Sequence, residues 1–173
     1  MKTKLLTMTS LLLALTLMFG GCDMPYGGPT EHTFLQNREN VVKVEICSNA
    51  MYGIVREGSQ MESLNPIAVL LDEEIDVLWE ALLSFPSYEV RYIKHGCGDL
   101  LFVVSYANGE QELIGYNLIG IVNSDGTFGG YRNHVFGDAA SLTQLFAQYA
   151  DPTVLAEASM TFRAYYEEET STS

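Results

Sequence analysis

The residues with the clearest capacity for chemistry lie in one short segment, HGCGD, at residues 95–99. Its imidazole, thiol and carboxylate can each bind a metal, and a thiol beside an imidazole can serve nucleophilic catalysis. A structural zinc site takes four ligands, and the sequence offers no second cluster because His32 and His134 are isolated. The glycines indicate a turn. We therefore expect a turn without metal or cofactor, and the alternative is a hydrolase or thiol-redox enzyme centred on Cys97 and His95.

A second segment with functional potential, DGTFGGYRNH at residues 125–134, combines aromatic rings and glycines with Arg132 and His134. A binding loop has this composition. A hairpin with one irregular strand has it too, and Asp125-Gly126 is a hairpin turn signal. We favour the hairpin, and the binding loop stays open as the alternative.

The N-terminal segment is the most informative part of the chain. Lys2 and Lys4 precede an apolar run of about 15 residues, whereas a membrane-spanning helix needs about 20. A basic start, a short apolar run and small residues at its end predict an export signal. The stretch Phe19-Gly20-Gly21-Cys22 resembles the lipobox of bacterial lipoprotein precursors, with Phe19 where leucine is usual. The resemblance covers only these first 22 residues.

The lipobox resemblance implies a lipid-anchored protein. Residues 1–21 would be the signal peptide, and Cys22 would become the mature N-terminus and carry acyl chains such as palmitate. Several acyl chains make a stable anchor where one is marginal. Residues 22–36 are rich in Gly, Pro and polar types and would form a flexible tether. The expected location is the bacterial cell membrane, with the domain on the extracytoplasmic side.

The net charge of the chain limits the classes of partner that it can bind. Loss of Lys2 and Lys4 with the signal leaves 7 basic residues against 22 acidic ones, a net charge of −15. Such a chain is repelled by a phosphate backbone, which argues against nucleic acid binding. We expect a binding or interaction domain in the cell envelope, with an envelope protein or a cationic ligand as partner. A structural accessory protein without a ligand is a further alternative.

Two cysteines remain once Cys22 carries lipid. An even pair in an exported chain predicts a disulfide between Cys47 and Cys97. Two reduced thiols, or a reactive one, are the alternatives, because spacing along the chain does not show proximity in space.

Hydrophobic periodicity predicts the elements of the domain. Residues 41–48 alternate as a half-buried strand with Val42, Val44 and Ile46 on its inner face. Asp72 caps a predicted helix, and further helices are expected from Asp138 and over residues 153–166. The inward residues of the first helix follow the i, i+3, i+4, i+7 rule: Ile75, Leu78, Trp79 and Leu82.

The remaining strands are expected around two hairpins. Asn108-Gly109 predicts a two-residue turn that sets Val104 opposite Leu113, and residues 112–122 are expected to form one strand. The sequence thus predicts an α+β domain over residues 37–166, with an antiparallel sheet of about four to six strands and two or three helices on one face. Residues 167–173 are expected to be a disordered acidic tail.

Overall fold

Eight strands and four helices lie in the part of the chain that the computed structural model describes, residues 38–48, 57–61, 64–89, 100–116, 118–132, 134–136 and 139–172. The strands are β1 (Val41–Ser48), β2 (Asn65–Val69), β3 (Ser87–Glu89), β4 (Leu100–Tyr106), β5 (Gln111–Gly115), β6 (Leu118–Val122), β7 (Phe128–Arg132) and β8 (His134–Phe136). The helices are α1 (Asp72–Ser84), α2 (Ala139–Tyr149), α3 (Pro152–Ala158) and α4 (Met160–Thr172). Six strands form one antiparallel sheet in the order β2-β1-β4-β5-β6-β7, and β3 pairs with β8.

The helices cover one face of this sheet, as the α+β prediction requires. The predicted stripe of α1, from Ile75 to Leu82, is buried in the same cluster as Leu142, Phe146 and Phe162 of the later helices. The sheet contributes Phe102, whose ring stacks on that of Phe146 with a centroid distance of 4.3 Å. We call the face of the sheet that the helices cover the helix-side face.

The opposite face carries a second, smaller apolar cluster, which includes Cys47, Leu101 and Phe128. It is covered by residues 57–61 and by Leu64, of which Met61 and Leu64 pack against it. The Met61 N–H donates to the Gly126 carbonyl at 3.0 Å, which ties this covering segment to the β6–β7 hairpin. Strand β4 is therefore buried on both faces. Strand β1 is half-buried, as its alternation predicts: Val44 and Ile46 are buried and Lys43 is exposed, and on the Lys43 face only Cys47 is buried.

Several helix boundaries differ from the prediction. Asp72 is the first helical residue of α1 and not its cap; the Glu74 carboxylate accepts a hydrogen bond of 2.7 Å from the N–H of the preceding residue, Leu71. The helix predicted over 153–166 is two helices divided at Ser159, whose Oγ accepts from the Phe162 N–H at 2.9 Å. Because α4 continues to Thr172, the expected disordered tail is helical up to that residue.

Val42 does not face the core as expected. Its exposed fraction is 60%, whereas Val44 and Ile46 are fully buried. The pairing of β1 with β4 shifts between Val41 and Lys43, and this bulge interrupts the alternation of the strand.

The segment 112–122 is two strands and not one. Gly115 of β5 pairs with Leu118 of β6, so the chain reverses between them. The Tyr116 side chain is buried beside this reversal, where its hydroxyl forms a hydrogen bond of 2.9 Å with Thr143 of α2. The extra reversal is what brings the sheet to six strands.

The β4–β5 hairpin also differs by one residue from the predicted register. Val104 lies opposite Glu112, not Leu113. Among the described residues only glycines have positive φ, so Asn108 does not adopt the conformation that a two-residue type I′ turn needs. The loop instead has three residues and ends at Gly109, with φ of 87°.

The packing of the helix-side face leads to a prediction of stability. Substitution of Trp79 or Phe146 by Ala should lower the free energy of unfolding by about 3–5 kcal/mol, because each buried ring would leave a cavity between helix and sheet. Urea denaturation monitored by circular dichroism measures the change. Val77→Ala on the exposed face of α1 is the matched control and should change stability by less than about 0.5 kcal/mol. A cost below about 1 kcal/mol for either ring would contradict the packing.

Candidate functional site

A cleft of about 450 Å³ opens beside the β4–β5 hairpin. Its volume lies within the range of about 300–1,000 Å³ that is usual for small-molecule sites. The lining residues come from the hairpin, the neighbouring strands and a short 3-10 turn, Arg38–Asn40, that precedes β1. Those that matter here are Asn40, Tyr106, Glu110, Glu112, Ile121 and Arg132. The turn and the hairpin are joined by the Ala107 N–H, which donates to the Asn40 carbonyl at 2.9 Å.

The register of three strands places the charged residues of the cleft. Glu112 lies opposite Val104 on one side and Ile121 on the other, so all three side chains share the helix-side face. Arg132 pairs with Ile119, which is part of the core on that same face. The acid and the base thus approach each other across β6, although 20 residues separate them in sequence.

Glu112 is the centre of a hydrogen-bond network at the floor of the cleft. Its exposed fraction is 3%. Oε1 accepts from both Nε and Nη2 of Arg132, at 3.0 Å and 2.5 Å, and Oε2 accepts from the Tyr106 hydroxyl at 2.6 Å. A buried carboxylate needs such partners, because an unpaired charge in the interior is strongly unfavourable.

Tyr106 serves this network as a hydrogen-bond donor. Burial is the main cause that raises the pKa of its hydroxyl well above the usual value, and the hydrogen bond to the Glu112 carboxylate and its negative charge raise the pKa further. The hydroxyl therefore keeps its proton throughout the neutral range and donates to Glu112 there. Its oxygen lone pairs can still accept a bond from another group.

The rim of the cleft is polar and solvent-exposed. The Asn108 side-chain amide donates to the Glu110 carboxylate at 2.9 Å, and Oδ1 of the same side chain accepts from the Glu110 backbone N–H at 3.0 Å. Both bonds hold the hairpin tip in one conformation. Asn40 contributes a second exposed amide, and the Ile121 side chain contributes an apolar wall.

The chemistry of these groups is suited to binding. The lining residues that the structure describes include no serine, cysteine or histidine, the usual nucleophiles and bases of hydrolases. Glu112 is the one buried carboxylate of the cleft, and it already accepts three hydrogen bonds. A carboxylate with three hydrogen bonds in place serves as a fixed hydrogen-bond acceptor and is poorly suited to act as a general base.

The residues singled out from sequence are not brought together at this cleft. Arg132, from the segment considered as a binding loop, lines it. His134 lies in β8 opposite Glu89. Cys22, His95 and Cys97 lie outside the described residues, so the lipidation and the alternative enzyme site stay predictions. Among the residues that the structure describes, no group of three or more His, Cys, Asp or Glu side chains is placed to hold a metal ion.

Cys47 lies on the other face of the sheet and lines a separate cavity of about 330 Å³. It is a free, buried thiol. Burial is the main cause that raises the pKa of the Cys47 thiol to about 11, with a further contribution from Glu45. A thiol with so high a pKa is a weak nucleophile at neutral pH.

The predicted disulfide requires β1 to lie near the start of β4. These strands are neighbours, with Ser48 opposite Leu100. The free thiol of Cys47 means that the structure does not show the bridge. Because Cys97 lies outside the described residues, the pairing stays a prediction.

Sequence reasoning missed Tyr106 and Glu112, the two residues that bind Arg132 into a network. One signal was available: Glu112 has the same strand parity as Ile114, so the two side chains must point to the same face of the sheet. An acidic residue at an inward position requires a buried partner. Its partner could not be identified, because Arg132 is 20 residues away on a different strand.

Comparison with known proteins gives no match for this chain, whether among family models, curated proteins or solved structures. No helix in the described part of the chain is long and apolar enough to cross a membrane.

The tyrosine in the cleft leads to a prediction of pH dependence. The folded pKa of Tyr106 is raised above the unfolded value of about 10, so its contribution to stability is complete below that pH and is lost as pH rises towards the folded pKa. The free energy of unfolding should therefore fall from about pH 9.5 to 11, and less steeply in Tyr106→Phe. Urea denaturation at each pH measures the slope, and Tyr165→Phe on α4 is the control. Equal slopes for Tyr106→Phe and the unsubstituted protein would contradict the prediction.

Proposed function

We propose that this protein is an exported lipoprotein whose α+β domain is a binding module in the bacterial cell envelope. The anchor part of the proposal is supported by the lysines, the short apolar run and the Phe19-Gly20-Gly21-Cys22 motif at the start of the chain. Lipid on Cys22 would hold the domain at the membrane surface on its extracytoplasmic side. A tether of about 15 residues would keep it within roughly 20 Å of that surface.

The binding part of the proposal is supported by one observation, the preformed polar floor of the cleft. Glu112 accepts hydrogen bonds from both Arg132 and Tyr106, so the three side chains hold one another in place. Groups that are already ordered lose little conformational entropy when a ligand binds, so a larger share of the contact energy appears as affinity. A cleft of 450 Å³ with such a floor is suited to a small molecule or to one residue of a larger ligand.

The anchor is tested by Cys22→Ser. This variant should move from the membrane fraction to the soluble fraction, because the acidic domain has no other membrane affinity in the proposal. Fractionation of cells followed by mass spectrometry of the N-terminus measures both location and processing. Cys47→Ser is the matched control and should stay with the membrane. A Cys22→Ser chain that has lost its signal and still sediments with membranes would refute the anchor.

The binding module is tested with a library of small fragments that includes neutral, cationic and anionic compounds. Some fragments should bind the purified protein in ligand-observed NMR, and Ile121→Phe should abolish their signals because the larger ring narrows the cleft. Val154→Ala, an exposed change on α3, is the control and should leave the signals intact. A folded protein that binds no fragment would favour the alternative of a structural accessory protein without a ligand.

A further inference from the structure

The polar groups around the cleft include hydrogen-bond donors and acceptors in close alternation. The Arg132 guanidinium donates and the Glu112 carboxylate accepts, while the Asn40 amide and the Tyr106 hydroxyl can do either. Water bound there must be replaced by a ligand that reproduces these bonds, or affinity is lost. The functional group that donates one hydrogen bond and accepts two is the hydroxyl. A ligand with several hydroxyl groups therefore fits this lining.

The charges of the cleft disfavour an ionic ligand. Glu112 and Arg132 neutralise each other at the floor. An anion would meet Glu110 at the rim and the excess of acidic residues over the whole chain, 22 against 9 basic ones. A cation at the floor would compete with Arg132 for Glu112 and disturb a buried pair. At the exposed rim, attraction to Glu110 is weak because solvent screens it.

The walls of the cleft also contribute apolar surface. Ile121, Ala107 and the ring of Tyr106 are part of the lining. A pocket of this mixed kind buries the apolar surface of a ligand while a few polar groups fix its orientation. A sugar ring presents C–H groups on its faces and hydroxyls around its edge, which matches this combination.

We propose that the cleft formed by Asn40, Tyr106, Glu112, Ile121 and Arg132 binds a neutral saccharide, either free or as one unit of a glycan. The inference rests on the binding module proposed above and names its ligand class. Arg132 donates to a ring hydroxyl, Glu112 and the Tyr106 oxygen accept from ring hydroxyls, and the exposed Asn40 amide contributes a further hydrogen bond at the rim.

The test uses three sugars that differ in charge: N-acetylglucosamine is neutral, glucosamine is cationic and glucuronate is anionic. Their dissociation constants are measured on the purified full chain by NMR titration. N-acetylglucosamine should bind at least about tenfold more tightly than either charged sugar, a difference of about 1.4 kcal/mol. Chitobiose and chitotetraose then distinguish the two sources. Affinity that rises with chain length supports a glycan, and unchanged affinity supports a free sugar.

Variants locate the binding. Asn40→Ala changes an exposed side chain and should weaken N-acetylglucosamine binding several-fold, while the thermal unfolding midpoint stays the same. Tyr106→Phe keeps the ring and removes the hydroxyl, and it should weaken binding about tenfold. Val154→Ala on α3 is the control and should leave the dissociation constant unchanged. Saccharide binding that neither cleft variant alters would overturn the assignment to this cleft.

The remaining outcomes separate this inference from the proposed function. If glucosamine or glucuronate binds more tightly than N-acetylglucosamine and depends on Asn40 and Tyr106, the neutral class is wrong and the binding module stands. If no saccharide binds but fragments occupy the cleft, the proposed saccharide ligand is wrong and the binding module again stands. If neither saccharides nor fragments bind the folded protein, both proposals fail.

Discussion

The three-residue loop between β4 and β5 is the constraint on which the cleft depends. Gly109 adopts a φ of 87°, a conformation that other residues rarely tolerate. With Gly109 in that conformation, Tyr106 and Glu110 close the hairpin, and Glu112 comes opposite Val104. A shift of one residue would turn Glu112 to the other face of the sheet, because side chains alternate along a strand. The ion pair with Arg132 and the bond from Tyr106 both exist only in the observed register.

The same sheet supports two different environments because its central strands are buried on both faces. Leu100, Phe102 and Val104 of β4 pack under the helices, while Leu101 and Val103 face the smaller cluster. The helices extend over only part of their face. Beyond Val104, the residues on that face are Tyr106, Glu112 and Arg132, and there the core gives way to the cleft. The site is thus the polar continuation of the core and is positioned by the same strands.

Local patterns account for the parts of the fold that could be predicted. The spacing of Ile75, Leu78, Trp79 and Leu82 defines one buried stripe, and the structure confirms it because helix periodicity depends on neighbours a few residues away. The hairpin at Asn108-Gly109 was predicted, but its register was not, since the two-residue turn and the three-residue loop both use glycine at positive φ. The reversal between Gly115 and Leu118 was missed because β5 and β6 are both apolar, and their sequences together resemble one long strand. The cleft could not be predicted at all, because it joins strands through pairings that the sequence does not contain.

A buried ion pair is weak evidence for stability, since apolar side chains of similar size often stabilise a core as well or better. The Glu112–Arg132 pair stands at the edge of the core, where replacement by apolar residues would be expected to keep the fold and to remove the polar floor of the cleft. The arrangement also orients its own charges: two guanidinium nitrogens bind one carboxylate oxygen and the tyrosine binds the other, so neither side chain needs a ligand to become ordered. A domain with a large acidic excess would repel anions wherever its carboxylates are unpaired. At the cleft floor this repulsion is cancelled locally by Arg132. A ligand of the proposed binding module would therefore be selected by the directions of its hydrogen bonds and not by its net charge.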